Sequence, residues 1–135
     1  MRIAKLAILI SVALLAGCTT ATSNPAATLD ALARESKFAA SGCYPGTDLP
    51  EDREPLTNSV DQAIRDITLL PRPRDPELVR SVLKRLINEV DQFATRDRER
   101  AYDYAIRIWQ ASGVGGESRL FLRTDQETLR LTATC

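Results

Sequence analysis

Residues 75–94, DPELVRSVLKRLINEVDQFA, carry the pattern that decides the fold class. Asp75, Pro76 and Glu77 form a helix start: the acid caps the first turn, proline suits the first helical position, and a negative charge faces the positive end of the helix dipole. Apolar residues follow at helical spacing, namely Val79, Val82, Leu83, Leu86, Ile87, Val90, Phe93 and Ala94. This spacing predicts an amphipathic helix from Pro76 to about Ala94.

Similar helices are predicted before and after this segment. The first covers about Glu51–Leu69 and ends at the sequence PRPR of residues 71–74, because two prolines cannot continue the helical hydrogen bonds. The second begins near Thr95, a candidate N-cap, and ends at Gly113, which suits a helix C-terminus. The apolar positions are Leu56, Val60, Ala63, Ile64 and Ile67 in the first, and Ala101, Tyr102, Tyr104, Ala105, Ile106, Ile108 and Trp109 in the second.

The two ends of the domain have weaker patterns. A helix is predicted from about Thr28 to Ala40, before the turn GCYPG of residues 42–46. In the tail, Leu120, Leu122, Leu129, Leu131 and Ala133 alternate with polar or aromatic neighbours, which predicts two strands of a hairpin. Thr124 and Glu127 also have the spacing of a capping box, which instead indicates a short helix. We favour the hairpin, and expect a mainly α fold, a small bundle of about four helices with a C-terminal β-hairpin.

Residues 1–17 differ from the rest of the chain. Two positive charges are followed by Leu6–Ala16, which is apolar apart from Ser11. Such a run is too short to span about 30 Å of hydrocarbon, but it fits the apolar region of a signal peptide. The sequence Leu15-Ala16-Gly17-Cys18 at its end resembles the lipobox of bacterial lipoproteins. The alternatives are a plain secretory signal and an N-terminal membrane helix.

The resemblance to lipoproteins implies that Cys18 is lipidated and becomes the first residue after cleavage. It also implies that Thr19, where an Asp favours inner-membrane retention, directs the protein to the outer membrane, facing the periplasm. The domains are then a signal peptide at 1–17, a lipidated flexible tether at 18–27 and a single helical domain at 28–135. Cleavage removes Arg2 and Lys5, so the 18 basic residues fall to 16 against 18 acidic ones, and no nucleic-acid partner is expected.

The two other cysteines, Cys43 and Cys135, are predicted to form a structural disulfide in an oxidising periplasm. A redox role would need a C-x-x-C spacing or a neighbouring histidine to lower the thiol pKa, and the sequence has neither. Free thiols and an intermolecular bridge remain as alternatives.

The absence of histidine excludes every catalytic or metal site that needs an imidazole. Asp97, Glu99 and Asp103 are the candidate catalytic acids, but arginines alternate with them and Asp103–Arg107 has the spacing of an ordinary ion pair. A solvated helix start is the favoured interpretation. We expect no cofactor and no metal, and consider the protein not to be an enzyme.

Two arginine-rich groups are candidate interaction surfaces. Arg119, Phe121, Arg123 and Arg130 would share the outer face of the hairpin, a composition typical of binding hot spots, although Phe121 could instead pack onto the helices. A second basic run could contact anionic lipid or an acidic partner, but an ordinary solvated face is favoured. This run consists of Arg72, Arg74, Arg80, Lys84 and Arg85.

Three short motifs resemble a family of small bacterial proteins built around a domain of unknown function. They are Glu35-Ser36-Lys37-Phe38, Tyr44-Pro45-Gly46, and the run Asp97–Tyr102 that continues to Ile108 and Gly113. The resemblance implies a small, mainly helical protein and attaches no activity.

We therefore expect a lipid-anchored binding or interaction module with a protein partner in the envelope. One alternative is an immunity-type lipoprotein that neutralises a periplasmic toxin. The other is a carboxylate-dependent envelope hydrolase that uses Asp97, Glu99 or Asp103.

Overall fold

The computed structural model describes residues 25–134, with side chains from residue 28 onward. The signal peptide, Cys18, most of the tether and Cys135 lie outside the described residues, so the predictions about them remain predictions. The described part of the chain contains five α-helices and no β-strand, which confirms the mainly helical fold. The helices are α1 (Pro25–Arg34), α2 (Arg53–Leu69), α3 (Pro76–Glu89), α4 (Thr95–Ala111) and α5 (Asp125–Thr132), with a 3₁₀ turn at Pro50–Asp52 before α2.

The core forms where α2, α3 and α4 pack against one another, with α1 against α2 and α4. Every apolar position predicted for α2 is buried, and α4 is buried over the wide arc that its sequence indicates. The central residues are fully enclosed, including Leu56, Val60, Ile67, Val79, Leu83, Val90, Ala105, Ile108 and Trp109. Burial of this apolar surface is the main force that holds the helices together.

The prediction that the first helix continues to Ala40 is wrong. The helix ends at Arg34, and Phe38 has a positive φ of 54°, which an α-helix cannot accommodate. The turn allows two side chains to enter the interior. The Lys37 ammonium lies 2.8 Å from the Asp61 carboxylate on α2, and the Phe38 ring packs 5.7 Å from the ring of Tyr104.

The third helix also ends earlier than predicted. Asp75 caps it as expected by accepting a hydrogen bond of 2.8 Å from the Glu77 amide, but it ends at Glu89, not near Ala94. A tight turn follows, in which the Phe93 amide donates to the Val90 carbonyl. Thr95 is the first residue of α4, and Ala94 occupies the N-cap position without a side-chain hydrogen bond.

The predicted C-terminal hairpin is wrong, because the capping box prevails. Thr124 Oγ1 accepts a hydrogen bond of 3.2 Å from the Glu127 amide and so begins α5. The alternating pattern does not generate one apolar face: Leu122 and Leu131 are exposed, while the polar Asp125 and Thr128 are buried. The alternating apolar pattern does not determine which residues are buried, because the Asp125 carboxylate accepts a hydrogen bond from the buried Ser118 and is buried with it.

Candidate functional site: an apolar groove with a cationic rim

A groove of about 730 Å³ opens where α4, α5 and the loop at 119–123 meet. Its lining combines apolar, aromatic and cationic side chains. The lining residues are Lys84 from α3, Glu99 and Tyr102 from α4, Arg119, Leu120, Phe121, Leu122 and Arg123 from the loop, and Thr128, Leu131 and Thr132 from α5.

The apolar part of the groove rests on a pair of aromatic rings. Phe121 and Tyr102 are half-buried, and their ring centroids lie 4.9 Å apart in a tilted arrangement. Leu120 packs against the core beside them, so the floor belongs to the folded interior. Leu122 is fully exposed and Leu131 is 46% exposed, which leaves two large apolar side chains at the opening without cover from the described residues.

The loop that carries these residues is fixed by a buried polar cluster centred on Ser118. The Ser118 amide donates to Asp125 Oδ2 over 2.8 Å, and the Ser118 hydroxyl donates to Asp125 Oδ1. The Asp125 amide in turn donates to Glu117 Oε2 over 2.9 Å. Both ends of the loop are therefore joined through one carboxylate, which lies in the first turn of α5.

Two further contacts connect the loop to α3 and α4. Arg80 Nε donates to the Ser118 carbonyl over 2.7 Å, and its guanidinium lies 5.0 Å from the Trp109 ring centroid. Trp109 Nε1 donates to the Gly116 carbonyl over 2.8 Å. Buried backbone groups must find partners inside the protein, and here side chains of the neighbouring helices supply them. The groove is thus built in advance of any ligand.

The rim of the groove is positively charged. Lys84, Arg119 and Arg123 line it, against the single carboxylate of Glu99. Arg123 lies 3.9 Å from Glu127, but both side chains are well exposed, so this pair neutralises little of the charge. Arg119 has a positive φ of 55°, a conformation that costs free energy in any residue other than glycine.

The structure brings together three of the four residues of the predicted partner surface. Arg119, Phe121 and Arg123 share the groove, whereas Arg130 is exposed on α5 and does not line it. The basis of their proximity differs from the expectation, since a loop and a capped helix replace the hairpin. Sequence reasoning placed Lys84 in a separate basic run and Leu131 in the hairpin, and joined neither to this surface. The capping box at Thr124 was the signal that could have placed Leu131 on a helix.

The prediction that Asp97 belongs to a solvated helix start is wrong, because the residue is fully buried. Its Oδ1 accepts a hydrogen bond of 2.6 Å from the Tyr44 hydroxyl, and its Oδ2 accepts one of 3.3 Å from the Asp48 amide. Burial, together with the hydrogen bond to Asp97, holds the pKa of Tyr44 well above its usual value. Asp97 therefore fixes the turn before the 3₁₀ segment to the start of α4.

The other two candidate acids do not join Asp97 in this arrangement. Asp103 lies 3.8 Å from both Arg100 and Arg107, which confirms the ion pair at the helical spacing, and burial raises its pKa. Arg107 also binds Glu35 of the α1–α2 connection. Glu99 is exposed at the edge of the groove.

The basic run at 72–85 does not form one surface. Arg74 is buried and donates to the Ile67 carbonyl over 2.8 Å and to the Ser112 carbonyl over 2.9 Å. Arg80 supports the loop at Ser118, and Arg85 binds Asp66 of α2. Only Lys84 of this run lines the groove.

Cys43 lies in the turn after α1, beside a second cavity of about 200 Å³. Thr132 and Thr134 at the end of the described chain line the same cavity, together with Arg96 and Arg100. The predicted partner, Cys135, lies outside the described residues. The pairing of Cys43 with Cys135 therefore stays a prediction.

Residues 25–134 contain no group of three or more carboxylate or thiol side chains placed to hold a metal ion. In the same part of the chain, no helix has both the length and the hydropathy needed to cross a membrane.

The three motifs that resemble a known family meet in the folded structure. Phe38 packs edge-on against Tyr44 at 6.4 Å, and the Tyr44 hydroxyl reaches Asp97. No curated protein and no solved structure matches the chain. A family model described as a domain of unknown function, DUF4844, matches residues 20–121, well over half of the 135 residues. The chain belongs to this DUF4844 family.

Proposed function

We propose that the chain is a lipoprotein of the bacterial envelope that acts as a non-enzymatic binding module for another protein. Cys18 is its anchor, the periplasmic face of the outer membrane is its location, and the groove at 119–123 is its binding surface. One observation carries the proposal: the groove joins an apolar floor to three cations in one concave surface. This is the composition of a protein-binding hot spot, in which apolar anchors are surrounded by polar groups.

The proposed anchor is supported by the sequence Leu15-Ala16-Gly17-Cys18 after a short apolar run. Stable attachment needs two or more acyl chains, because each buried CH₂ contributes only about 0.8 kcal/mol. Because α1 begins at Pro25, and not near Thr28 as predicted, the tether between the anchor and the domain is residues 18–24. Its extended length of about 24 Å allows the groove to face away from the bilayer toward a partner.

The polar cluster at Ser118 and Asp125 supports a binding role in a second way. A loop that is already ordered loses little conformational entropy when a partner binds, so more of the contact energy remains as affinity. Several hydrogen bonds of the cluster hold a loop in which Leu122 is fully exposed. A loop fixed in this way presents its exposed side chains in one conformation, which suits a binding surface.

Site-specific photo-crosslinking in living cells tests the binding role. A photoreactive residue at Leu122, in the groove, is compared with the same residue at Leu69, which is 82% exposed on α2 away from the groove. We expect a discrete protein adduct from position 122 and none from position 69. The adduct should weaken when Arg123→Glu is added, because the cation belongs to the same surface.

Equal adducts from both positions, or an adduct that is indifferent to Arg123→Glu, would contradict the binding role. The anchor has its own test, since labelled palmitate should be incorporated into the wild-type chain and not into Cys18→Ala. Incorporation into both chains, or into neither, would refute lipidation at Cys18 and leave the groove to be judged by crosslinking.

A further inference from the structure

The groove also restricts the kind of segment that fits it. Resting on the proposed function, we propose that the groove receives an amphipathic α-helix of a partner protein that carries acidic residues beside its apolar face. Three properties of the groove carry this inference: the sign of its charge, the nature of its walls and the recessed position of its floor.

The rim has the opposite sign to the domain as a whole. Without the first 17 residues the chain has 16 basic and 18 acidic residues, yet Lys84, Arg119 and Arg123 meet only Glu99 in the lining. Acidic side chains of a partner would find three cations around the opening. Complementary charge of this kind speeds encounter and excludes partners with the wrong sign.

The apolar part supplies the contact area. Leu122 and Leu131 are exposed beside the half-buried ring of Phe121. Covering one such leucine side chain removes its apolar surface from water, which stabilises a complex. A partner must therefore offer apolar side chains that reach these residues.

The walls favour a helical partner over one that binds as a β-strand. A β-strand needs backbone partners, which a free sheet edge supplies, but the described residues contain no strand. Two of the walls are the helices α4 and α5, whose central backbone groups are already paired within each helix. A segment that pairs its own backbone, as an α-helix does, leaves none of these groups unsatisfied.

The recessed floor favours a protein segment over a membrane surface. Phe121 and Tyr102, whose ring centroids lie 4.9 Å apart, are half-buried, whereas Leu122 is fully exposed, and Leu120 packs against the core. A flat bilayer could meet the tip of Leu122 and the arginines, but it could not fill the space between α4 and α5. A helix with apolar residues three and four positions apart can do so.

The inference is tested with synthetic peptides and the full lipidated chain in nanodiscs of neutral phosphatidylcholine. The probe is a fluorescent helical peptide of about 18 residues, roughly five turns, with leucines on one face and glutamates beside them. Its controls are a scrambled peptide of the same composition and a version with lysine in place of glutamate. Fluorescence anisotropy, corrected with empty nanodiscs, should show binding of the first peptide only.

Matched variants locate the binding. Arg123→Glu should weaken binding of the acidic peptide by about tenfold, because a favourable charge contact becomes a repulsion, whereas Arg130→Glu, the same change outside the groove, should have little effect. Leu122→Ser should weaken binding, and Leu69→Ser, also at an exposed leucine, should not. All four positions are exposed, so the fold should survive each substitution.

Three results would overturn the inference. The first is that the acidic peptide does not bind, the second is that the scrambled peptide binds equally well, and the third is that Arg123→Glu and Arg130→Glu weaken peptide binding equally. If vesicles of anionic phosphatidylglycerol bind in place of the peptide, and lose binding with Arg123→Glu, the groove contacts lipid and the inference is wrong. A specific cellular crosslink at position 122 without peptide binding would leave the proposed function standing and reject only the helical acidic partner.

Discussion

Individual polar residues determine how the helices of this small domain are joined. Asp97 and Asp125 are both buried, and each accepts hydrogen bonds from outside its own helix: Asp97 from Tyr44 and Asp125 from Ser118. A buried carboxylate is costly unless such donors surround it. These two residues therefore act as fixed points, one at the start of α4 and the other at the start of α5.

Removing the Tyr44 hydroxyl should destabilise the domain. In Tyr44→Phe the buried Asp97 loses its hydroxyl donor at 2.6 Å, and the loss of a partner from a buried group costs about 1–3 kcal/mol. Urea unfolding monitored by circular dichroism measures the free energy. Tyr102→Phe, which leaves Tyr44 and Asp97 intact, is the control, and an unchanged free energy of unfolding in Tyr44→Phe would contradict the role of this bond.

Stability should also fall in alkaline solution. Burial, the hydrogen bond to Asp97 and the Asp97 charge raise the pKa of Tyr44 in the folded state above its ordinary value of 10.0. Above pH 10 the unfolded chain therefore loses this proton while the folded chain keeps it, so the free energy of unfolding decreases as the pH rises. Unfolding curves from about pH 8 to 11 should show the decline, with a shallower slope in Tyr44→Phe. Identical slopes in the two proteins would refute the assignment.

The loop at 119–123 should depend on Asp125. Asp125→Ala leaves the Ser118 amide and hydroxyl without their acceptor in a buried position, and we expect a loss of about 2 kcal/mol. Thermal unfolding measures the loss, and Gln126→Ala at the exposed neighbouring position is the control. An Asp125→Ala protein as stable as Gln126→Ala would show that the cluster does not hold the loop.

At the scale of the elements, the contacts at the helix ends connect one helix to the next. The last carbonyls of an α-helix have no partner within it, so other groups must bind them. Arg74 does this for two helices at once, because it donates to the Ile67 carbonyl of α2 and to the Ser112 carbonyl just after α4. Its positive charge also suits the negative end of both helix dipoles.

Replacing Arg74 should therefore be much more costly than replacing its neighbour. Arg74→Met removes both charged hydrogen bonds from buried carbonyls, each worth about 1.5–3 kcal/mol, and we expect a loss of at least about 2 kcal/mol. The exposed Arg72→Met is the matched control and should change stability by less than about 0.5 kcal/mol. If Arg74→Met and Arg72→Met lowered the free energy of unfolding equally, the two hydrogen bonds of Arg74 would not stabilise the domain.

The sequence predicted the bodies of α2, α3 and α4 because their apolar residues repeat at helical spacing. It failed at the ends of α1 and α3 and in the tail. At the end of α1, Phe38 packs against Tyr104 of α4, a contact that local periodicity does not reveal. In the tail, the capping box at Thr124 and the bond from Ser118 to Asp125 outweigh the alternating apolar pattern. The groove could be anticipated only as a group of residues, Arg119, Phe121 and Arg123, and not as a shape.

At the scale of the whole molecule, the last described residues lie beside the turn that follows α1. Thr132 and Thr134 line the same cavity as Cys43. This proximity supports the predicted bridge between Cys43 and Cys135, which would close a loop of about 93 residues. Among the described helices α5 does not contact α1, and the bridge would connect the end of α5 to the turn after α1.

The double variant Cys43→Ser/Cys135→Ser should melt at a lower temperature than the oxidised wild type. Closing a loop of this length is worth roughly 4–5 kcal/mol in the chain-entropy model, although distortion usually reduces the gain. Calorimetry with and without a reductant measures the shift, and the reductant should lower the melting temperature of the wild type but not of the variant. No shift in either comparison would contradict the bridge.

The attachment of α5 has a consequence for the dynamics of the groove. Among the helices, α5 contacts α4 alone, whereas α4 also packs against α1, α2 and α3. Segments with few neighbours open at a lower free energy than the core and do so as cooperative units. The backbone amides of residues 117–132 should therefore exchange with deuterium together, and faster than those of α2 and α4. The groove would then keep one shape in the folded state and open only as a unit, while the core of α2, α3 and α4 stays folded.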